Sequence, residues 1–208
     1  MTNLTSLPSA ANFSDALRLM GHPFQTLRGN FRCPFPNAHL CGPAYPVRCY
    51  SGATWAVENA VEEAPAGSIL IMDGGGYPHA VLMGGLLSLR AAQRGILGAV
   101  IDGAIRDLPD LIKEQWPVFA THHTPAGGTF AQMGDWGKPI SCAGVCVQAG
   151  DFIIADDDGV VVIPSTLLEE TRKQAQAIEE KERFLDQALR EGRSLSEAVA
   201  LWKLSSEK

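Results

Sequence analysis

The sequence carries no surplus of positive charge. Lys and Arg number 17 against 23 Asp and Glu, a net charge of −6, whereas a nucleic-acid binder needs clustered cations to meet phosphates. RNA and DNA are therefore not expected as direct ligands. Long apolar runs are missing too. None approaches the ~20 residues that span a bilayer, and the start MTNLTSLPSAANFSDALRLM has neither a basic n-region nor a continuous apolar h-region. A cytoplasmic protein without membrane contact is expected. Cysteine is sparse: Cys33, Cys41, Cys49, Cys142 and Cys146 are odd in number and form no Cys-x-x-Cys pair. Cys142 and Cys146 are spaced to share one face of a strand and read as small packing residues rather than ligands. The glycines at 74 to 76 belong to no G-x-G-x-x-G or Gly-Lys-Ser/Thr pattern, which argues against a phosphate loop.

What is present suffices for one core. With 208 residues, 46% of them hydrophobic, the chain reads as a single domain over 1–208, with 165–208 as a C-terminal helical extension. SDALRLMG (14 to 21) has the form of a short capped helix, and ATWAVENAVEEA (53 to 64) has helical periodicity. GSILIMDGGG (67 to 76) predicts a strand running into a glycine loop that would hold His79. LLSLRAAQRG predicts a helix after Gly84 and Gly85, and ILGAVIDG (96 to 103) a second buried strand. This strand, helix, strand alternation is that of an α/β unit, whose ligands sit beyond the carboxyl ends of the strands. DFIIADDDGVVVIP reads as a hairpin about Asp158 and Gly159, with Asp156 to Asp158 as turn residues because calcium-loop spacing is absent. His122 and His123, adjacent on an extended chain, face opposite ways and make a poor metal pair.

Three features stand out as candidate chemistry. In MGGLL (83 to 87), two glycines before a helix leave backbone amides that suit a carboxylate, although a plain glycine turn fits equally well. In GAVIDGAIRDLPDL (98 to 111), Asp102, Arg106 and Asp107 stand at the mouth of a buried strand. Pro109 disfavours helix at Leu108, which predicts an irregular loop for the pair. In the long C-terminal helix, Leu167, Thr171, Ala175, Ile178, Leu185 and Leu189 form one stripe with Glu182 in its middle. Either the helix swings into solvent there, or the stripe packs on a neighbouring subunit and presents Glu182 to a metal or an Arg.

GGLLSLRAAQRGILGAVIDGAIRD followed by AGDFIIADDDGVVVIP resembles the family that joins the 4-hydroxy-4-methyl-2-oxoglutarate/4-carboxy-4-hydroxy-2-oxoadipate aldolases with the regulators of ribonuclease activity A. The resemblance runs from SAANFSDAL through GPAYPVRCYSG to the terminal helix, and DGAIRD is its most specific part. It implies an αββα sandwich, an α/β fold with the C-terminal helix packing on a neighbouring subunit, assembled as a homotrimer or hexamer with sites between subunits. In the aldolase branch, Asp107 would hold a divalent metal, Mg²⁺ or Mn²⁺, and Arg106 would contact the substrate. The amides of Gly84, Gly85, Leu86 and Leu87 would receive the carboxylate of pyruvate. The sequence departs from many aldolases in one place: the position 21 residues before Arg106, often acidic there, is Gly85.

The implied activity is cleavage of a 4-hydroxy-2-oxo acid to pyruvate and a second oxo compound. It needs an electron sink at the 2-oxo group. The lysines at 113, 138, 173, 181, 203 and 208 all lie in polar or terminal segments, so none resembles a desolvated Schiff-base nucleophile, and a divalent metal is the better sink. Oxaloacetate decarboxylation leaves the same enolate and is expected as a side activity. Water at the metal, and second His79, are the candidates for taking the 4-hydroxyl proton. The alternative is a non-enzymatic protein-binding regulator resembling regulator of ribonuclease activity A. Arg106 and Asp107 together favour the enzyme, and Gly85 leaves room for the regulator.

Overall fold

A computed structural model describes residues 7 to 50 and 52 to 206. Helices α1 (Ala10–Leu19), α2 (Trp55–Glu63), α3 (Gly85–Gln93), α4 (Leu108–Glu114), α5 (Leu168–Arg190) and α6 (Leu195–Ser206) surround strands β1 (Leu40–Arg48), β2 (Ile69–Met83), β3 (Gly98–Ile105), β4 (Val118–His123), β5 (Asp135–Trp136), β6 (Ile140–Cys142), β7 (Val145–Val147), β8 (Phe152–Asp156) and β9 (Gly159–Ile163). The main sheet runs β4-β3-β2-β1-β8-β9, with β5 beside β1 and β6-β7 as a separate hairpin. Strands β1 to β4 are parallel, whereas β8 pairs antiparallel with β1 and with β9. The apolar runs at 69 to 72 and 99 to 101 are buried because the parallel strands are covered on both faces.

Three apolar cores separate four layers. One, containing Val57, Val61, Met72, Ile101 and Leu111, lies between the parallel strands and α2 to α4. A second fills the interior between the parallel strands, the β6-β7 hairpin and the β8-β9 pair, through Phe31, Ile71, Val100, Phe119, Cys142, Ile153 and Val162. The third joins Phe13 and Leu17 of α1 and Ala175 of α5 to Ile154, Val161 and Ile163 on the outer side of β8-β9. The result is a mixed α/β fold in the order helices, strands, strands, helices, as the αββα expectation has it. Each fully buried Ile or Phe in these layers contributes about 1.5–3 kcal/mol by leaving water.

Several local expectations are corrected. Helix α1 begins four residues before Ser14: Ser9 is its N-cap, in a reciprocal capping box with Asn12, and Asp15 pairs instead with Arg18 on the surface. Strand β2 does not end at the glycines. It continues to Met83 by bulging, because between the pairs Asp73↔Asp102 and Met83↔Ile105 ten steps of β2 pass against three of β3. Gly75 and Gly76 take φ of 63° and 67° in that bulge, conformations that favour glycine. His79 is therefore in a strand, with its ring edge-on to Tyr77, and not in a loop. Cys142 and Cys146 sit on opposite strands of the β6-β7 hairpin, the first buried and the second exposed, because a turn at 143 and 144 interrupts the expected strand. Burial pushes the Cys49 thiol up to about 12 and Cys142 further in the same direction, so both pack as neutral small side chains.

The hairpin about the aspartates is present, but Asp156 does more than turn. It is buried, and its carboxylate accepts the amides of Ala10 at 2.8 Å and Asp158 at 3.0 Å, tying α1 to the β8-β9 turn. Helix α5 packs along α1 of its own chain: Thr171 and Ala175 are buried there, Leu189 is 44% exposed, and Glu182 is exposed and accepts Asn12 Nδ2 at 2.6 Å. Within the chain, the partner of Glu182 is thus an amide and not a cation.

Candidate active site

Three chain segments meet beyond the carboxyl end of β3. The strand delivers Ile105, and Arg106 follows with its amide donating to the carbonyl of Met83 at 3.2 Å, which anchors the turn to the end of β2. Asp107 then takes the left-handed conformation (φ 58°, ψ 41°), which Asp tolerates better than most residues. Helix starts at once, not the irregular loop expected from Pro109. Pro109 is in the first turn of α4, where its missing N–H has no intrahelical acceptor to lose, and the Asp107 carbonyl accepts the amides of Asp110 and Leu111 at 3.0 and 3.2 Å. The left-handed turn points Arg106 and Asp107 the same way, and Nε of Arg106 lies 3.5 Å from Oδ2 of Asp107.

Opposite stands the N-terminus of α3, with Gly84 as its cap and no side chain capping it. The Gly85 amide donates to Asp107 Oδ2 at 3.0 Å. It is therefore engaged by that carboxylate. The amides of Leu86 and Leu87, in the same first turn, have no intrahelical acceptor. The glycines are required by proximity: a Cβ on Gly84 would lie 2.6 Å from Asp107 Oδ2 and 3.1 Å from Arg106 Cγ.

The cleft so formed has a volume of about 470 Å³, and its walls include Thr54 and Glu58 from α2, Gly127, Gly128 and Phe130 from the segment after β4, and Leu86 and Leu87. Glu58 accepts the Thr54 hydroxyl at 2.8 Å. Sequence pattern does not single out either residue; the only sign is their i, i+4 spacing at the start of α2. The 127 to 130 segment is likewise invisible in the sequence, and is held by a bridge from Thr129 to Ala53 and by the Thr54 amide donating to the Thr129 carbonyl. At the rim, Leu86 and Phe130 are 85% and 82% exposed.

Other candidates fall elsewhere. Asp102 faces away from this cleft and pairs in register with Asp73 on β2. Burial raises both carboxyls above the usual aspartate range; the charge of Asp73 adds to the rise at Asp102, and His122 opposes it. His79 and His122 do not line the cleft, and His123 lines a neighbouring pocket on the other side of Arg106 and Asp107. Among the described residues no group of three His, Cys, Asp or Glu side chains could by itself hold a metal. Lys113, Lys138, Lys173, Lys181 and Lys203 are all exposed and outside the cleft, while Lys208 lies outside the described residues.

The RraA-like family model, described as Aldolase/RraA, matches residues 10–162, about three quarters of the chain. The chain belongs to the RraA-like family. Among RraA-like relatives, an uncharacterized protein of Methanocaldococcus jannaschii is 38% identical over 128 residues, 62% of each chain. The 4-hydroxy-4-methyl-2-oxoglutarate aldolase of Thermus thermophilus is 35% identical over 108 residues, 52% of this chain and 66% of its own. The matched regions thus span about two thirds of these relatives or slightly less. Of solved structures, an uncharacterized protein from Pseudomonas syringae superposes with a TM-score of 0.83 at 26% identity, covering 93% of this chain and 90% of its own. The RNA-processing inhibitor RraA from Thermus superposes at 0.65 with 30% identity, covering 73% and 92%. The proteins this chain resembles therefore carry both an aldolase and an inhibitor name. Among the described residues no helix is long and apolar enough to cross a membrane.

Proposed function

We propose that the cleft is the active site of a divalent-metal-dependent pyruvate aldolase, which cleaves a 4-hydroxy-2-oxo acid to pyruvate and a second oxo compound and decarboxylates oxaloacetate as a side activity. The observation that carries this reading is the convergence of one carboxylate and one guanidinium, 3.5 Å apart, on a helix N-terminus whose Leu86 and Leu87 amides have no intrahelical acceptor. The aldolase name of the Thermus relative supports it.

The donor set fits Mg²⁺ or Mn²⁺, which is commonly held by one or two carboxylates with substrate and water oxygens completing the shell. Asp107 would be the ligand, and the absence of a side chain at Gly84 lets its carboxylate sit against the start of α3. Bound there, the ion would supply the electron sink at the 2-oxo group. The remaining work belongs to the protein. The amides of Leu86 and Leu87, aided by the α3 dipole, bind the substrate's 1-carboxylate. Arg106 stabilises the negative charge that develops on the 2-oxygen as the C3–C4 bond breaks and its electron pair enters the enolate. Glu58, on the wall formed by α2, takes the 4-hydroxyl proton as C4 becomes a carbonyl; the Thr54 hydroxyl holds it in place. Solvent water protonates the enolate at C3 to give pyruvate; oxaloacetate reaches the same enolate by losing CO₂ and has no hydroxyl proton to give up.

The exposed Leu86 and Phe130 at the rim support assembly as a homotrimer or hexamer in which Glu182 of a neighbour approaches the site. The same exposed rim also favours a second reading, a protein-binding regulator like the Thermus inhibitor. Lactate dehydrogenase-coupled release of pyruvate from oxaloacetate and from 4-hydroxy-2-oxo acids separates the two. Turnover that needs Mg²⁺ or Mn²⁺ and stops in excess EDTA is expected; no turnover, or full turnover in EDTA, would overturn the aldolase reading.

A further inference from the structure

The charged groups on the walls of the cleft are Glu58, Arg106 and Asp107. The one that meets C4 of the substrate, Glu58, is a carboxylate. The one cation, Arg106, is committed to the 2-oxygen and lies 3.5 Å from Asp107. Among the described residues no Lys, no His and no second Arg lines the space. His123 lines the neighbouring pocket beyond Arg106 and Asp107, while Arg90 and Arg94 are paired with Glu62 on the surface. A divalent ion at Asp107 is balanced by that carboxylate and by the substrate's 1-carboxylate, so it leaves no positive charge over for C4. What the walls offer instead is apolar surface: Leu86 and Leu87 from α3 and Phe130 from the segment after β4. Leu86 and Phe130 are exposed and gain by being covered.

We infer that the substrate is a monocarboxylic 4-hydroxy-2-oxo acid with an apolar group, alkyl or aryl, on C4, so that cleavage releases pyruvate and an apolar aldehyde. This rests on the aldolase reading above and narrows it. A second carboxylate on C4, as in the substrate named for the Thermus aldolase, would lie beside Glu58 with no cation to meet it. Repulsion of this kind rejects one ligand as effectively as contacts select another. A neighbour's Glu182 would add negative charge, not positive. An apolar group on C4 instead covers Leu86 and Phe130, and the cleft volume of about 470 Å³ leaves room for one larger than methyl.

The test compares two substrates that differ only at C4: 4-hydroxy-2-oxopentanoate, which carries a methyl there, and 4-hydroxy-2-oxoglutarate, which carries a carboxylate. Pyruvate release by the full-length protein with Mg²⁺ gives kcat/KM for each. The methyl compound is expected to be preferred by ~10-fold or more, the scale on which an apolar pocket discriminates. Phe130→Arg puts a cation on the apolar wall and should shift the ratio toward the carboxylate substrate by ~10-fold or more; Leu86→Arg should do the same from α3. Both positions are exposed, so neither change opens the core, and a ratio taken within one variant cancels any general loss of activity. An equal or greater kcat/KM for the carboxylate substrate in the original protein overturns the inference and leaves the aldolase reading standing, as does a ratio unmoved in both variants. Cleavage of neither 4-hydroxy acid overturns the two together.

Discussion

Replacing Gly84 by Ala tests whether the cleft's geometry, rather than its residue content, makes the chemistry. The backbone at Gly84 is extended, φ −137° and ψ −172°, so alanine meets no conformational obstacle. Its methyl does meet the Asp107 carboxylate: the new Cβ would lie 2.6 Å from Oδ2, where ordinary contact begins at 3.4 Å, so the carboxylate must retreat by about 0.8 Å. Arg106 Nε, 3.3 Å from the same Cβ, is crowded in the same step. A misplacement of ~1 Å in a catalytic group costs ~10²-fold in rate. Stability should change little, because Asp107 is 40% exposed and its pairing with Arg106 is solvent-screened. In the coupled oxaloacetate assay, Gly84→Ala is therefore expected to lose ~10²-fold in kcat/KM with a nearly unchanged Tm. A variant that folds and turns over like the original would show that Asp107 need not hold its observed position, and would refute the reasoning.

Three further outcomes follow from named contacts. Arg106→Lys should lower kcat by ~10²-fold as well as raise KM, since a point charge on a flexible stem does not reproduce a planar fork; near-original kcat in steady-state kinetics would reduce the pair to a surface salt bridge. Glu58→Gln should slow cleavage of the 4-hydroxy acid by at least ~10²-fold and spare oxaloacetate decarboxylation, which has no hydroxyl proton to remove; equal loss on both substrates would contradict the role given to Glu58. Asp102 tests linkage. Its folded-state pKa is raised above the usual 3.8 by burial and by Asp73, so the native state takes up a proton before the unfolded chain does. The contribution of this group to stability therefore grows as pH falls from neutral through the raised value, levels off below the usual one, and is lost again as pH rises. Asp102→Asn should melt higher than the original near neutral pH, with the gap narrowing on acidification; parallel melting curves across that range would disprove it.

The α/β alternation was legible because each element carries its own period or run: the apolar stretches of β2 and β3, the helix after Gly84, the 156 to 159 turn and the long helix α5. DGAIRD was legible as a site because charges at the end of a buried strand have few structural uses. The start of α4 was not, since the preference of Leu108 against helix before proline is overridden when Asp107 turns left-handed and its carbonyl accepts two amides. The β2 bulge was hidden because it exists only against β3, ten steps against three. Thr54 and Glu58 escaped for a related reason. Each looks like an ordinary helix N-terminal residue, and only folding brings segments 54–58, 84–87, 106–107 and 127–130 around one space. The role expected for Glu182 depended on a neighbouring chain, and within one chain α5 is packed by α1 and, toward its C-terminal end, by α6.

A crystal structure of the protein with Mg²⁺ and pyruvate tests the central claim most directly. The account predicts the ion against the Asp107 carboxylate, the pyruvate carboxylate on the amides of Leu86 and Leu87, and the Arg106 guanidinium on the 2-oxo oxygen. Pyruvate bound away from this cleft, or bound in it with the ion held by residues other than Asp107, would contradict it.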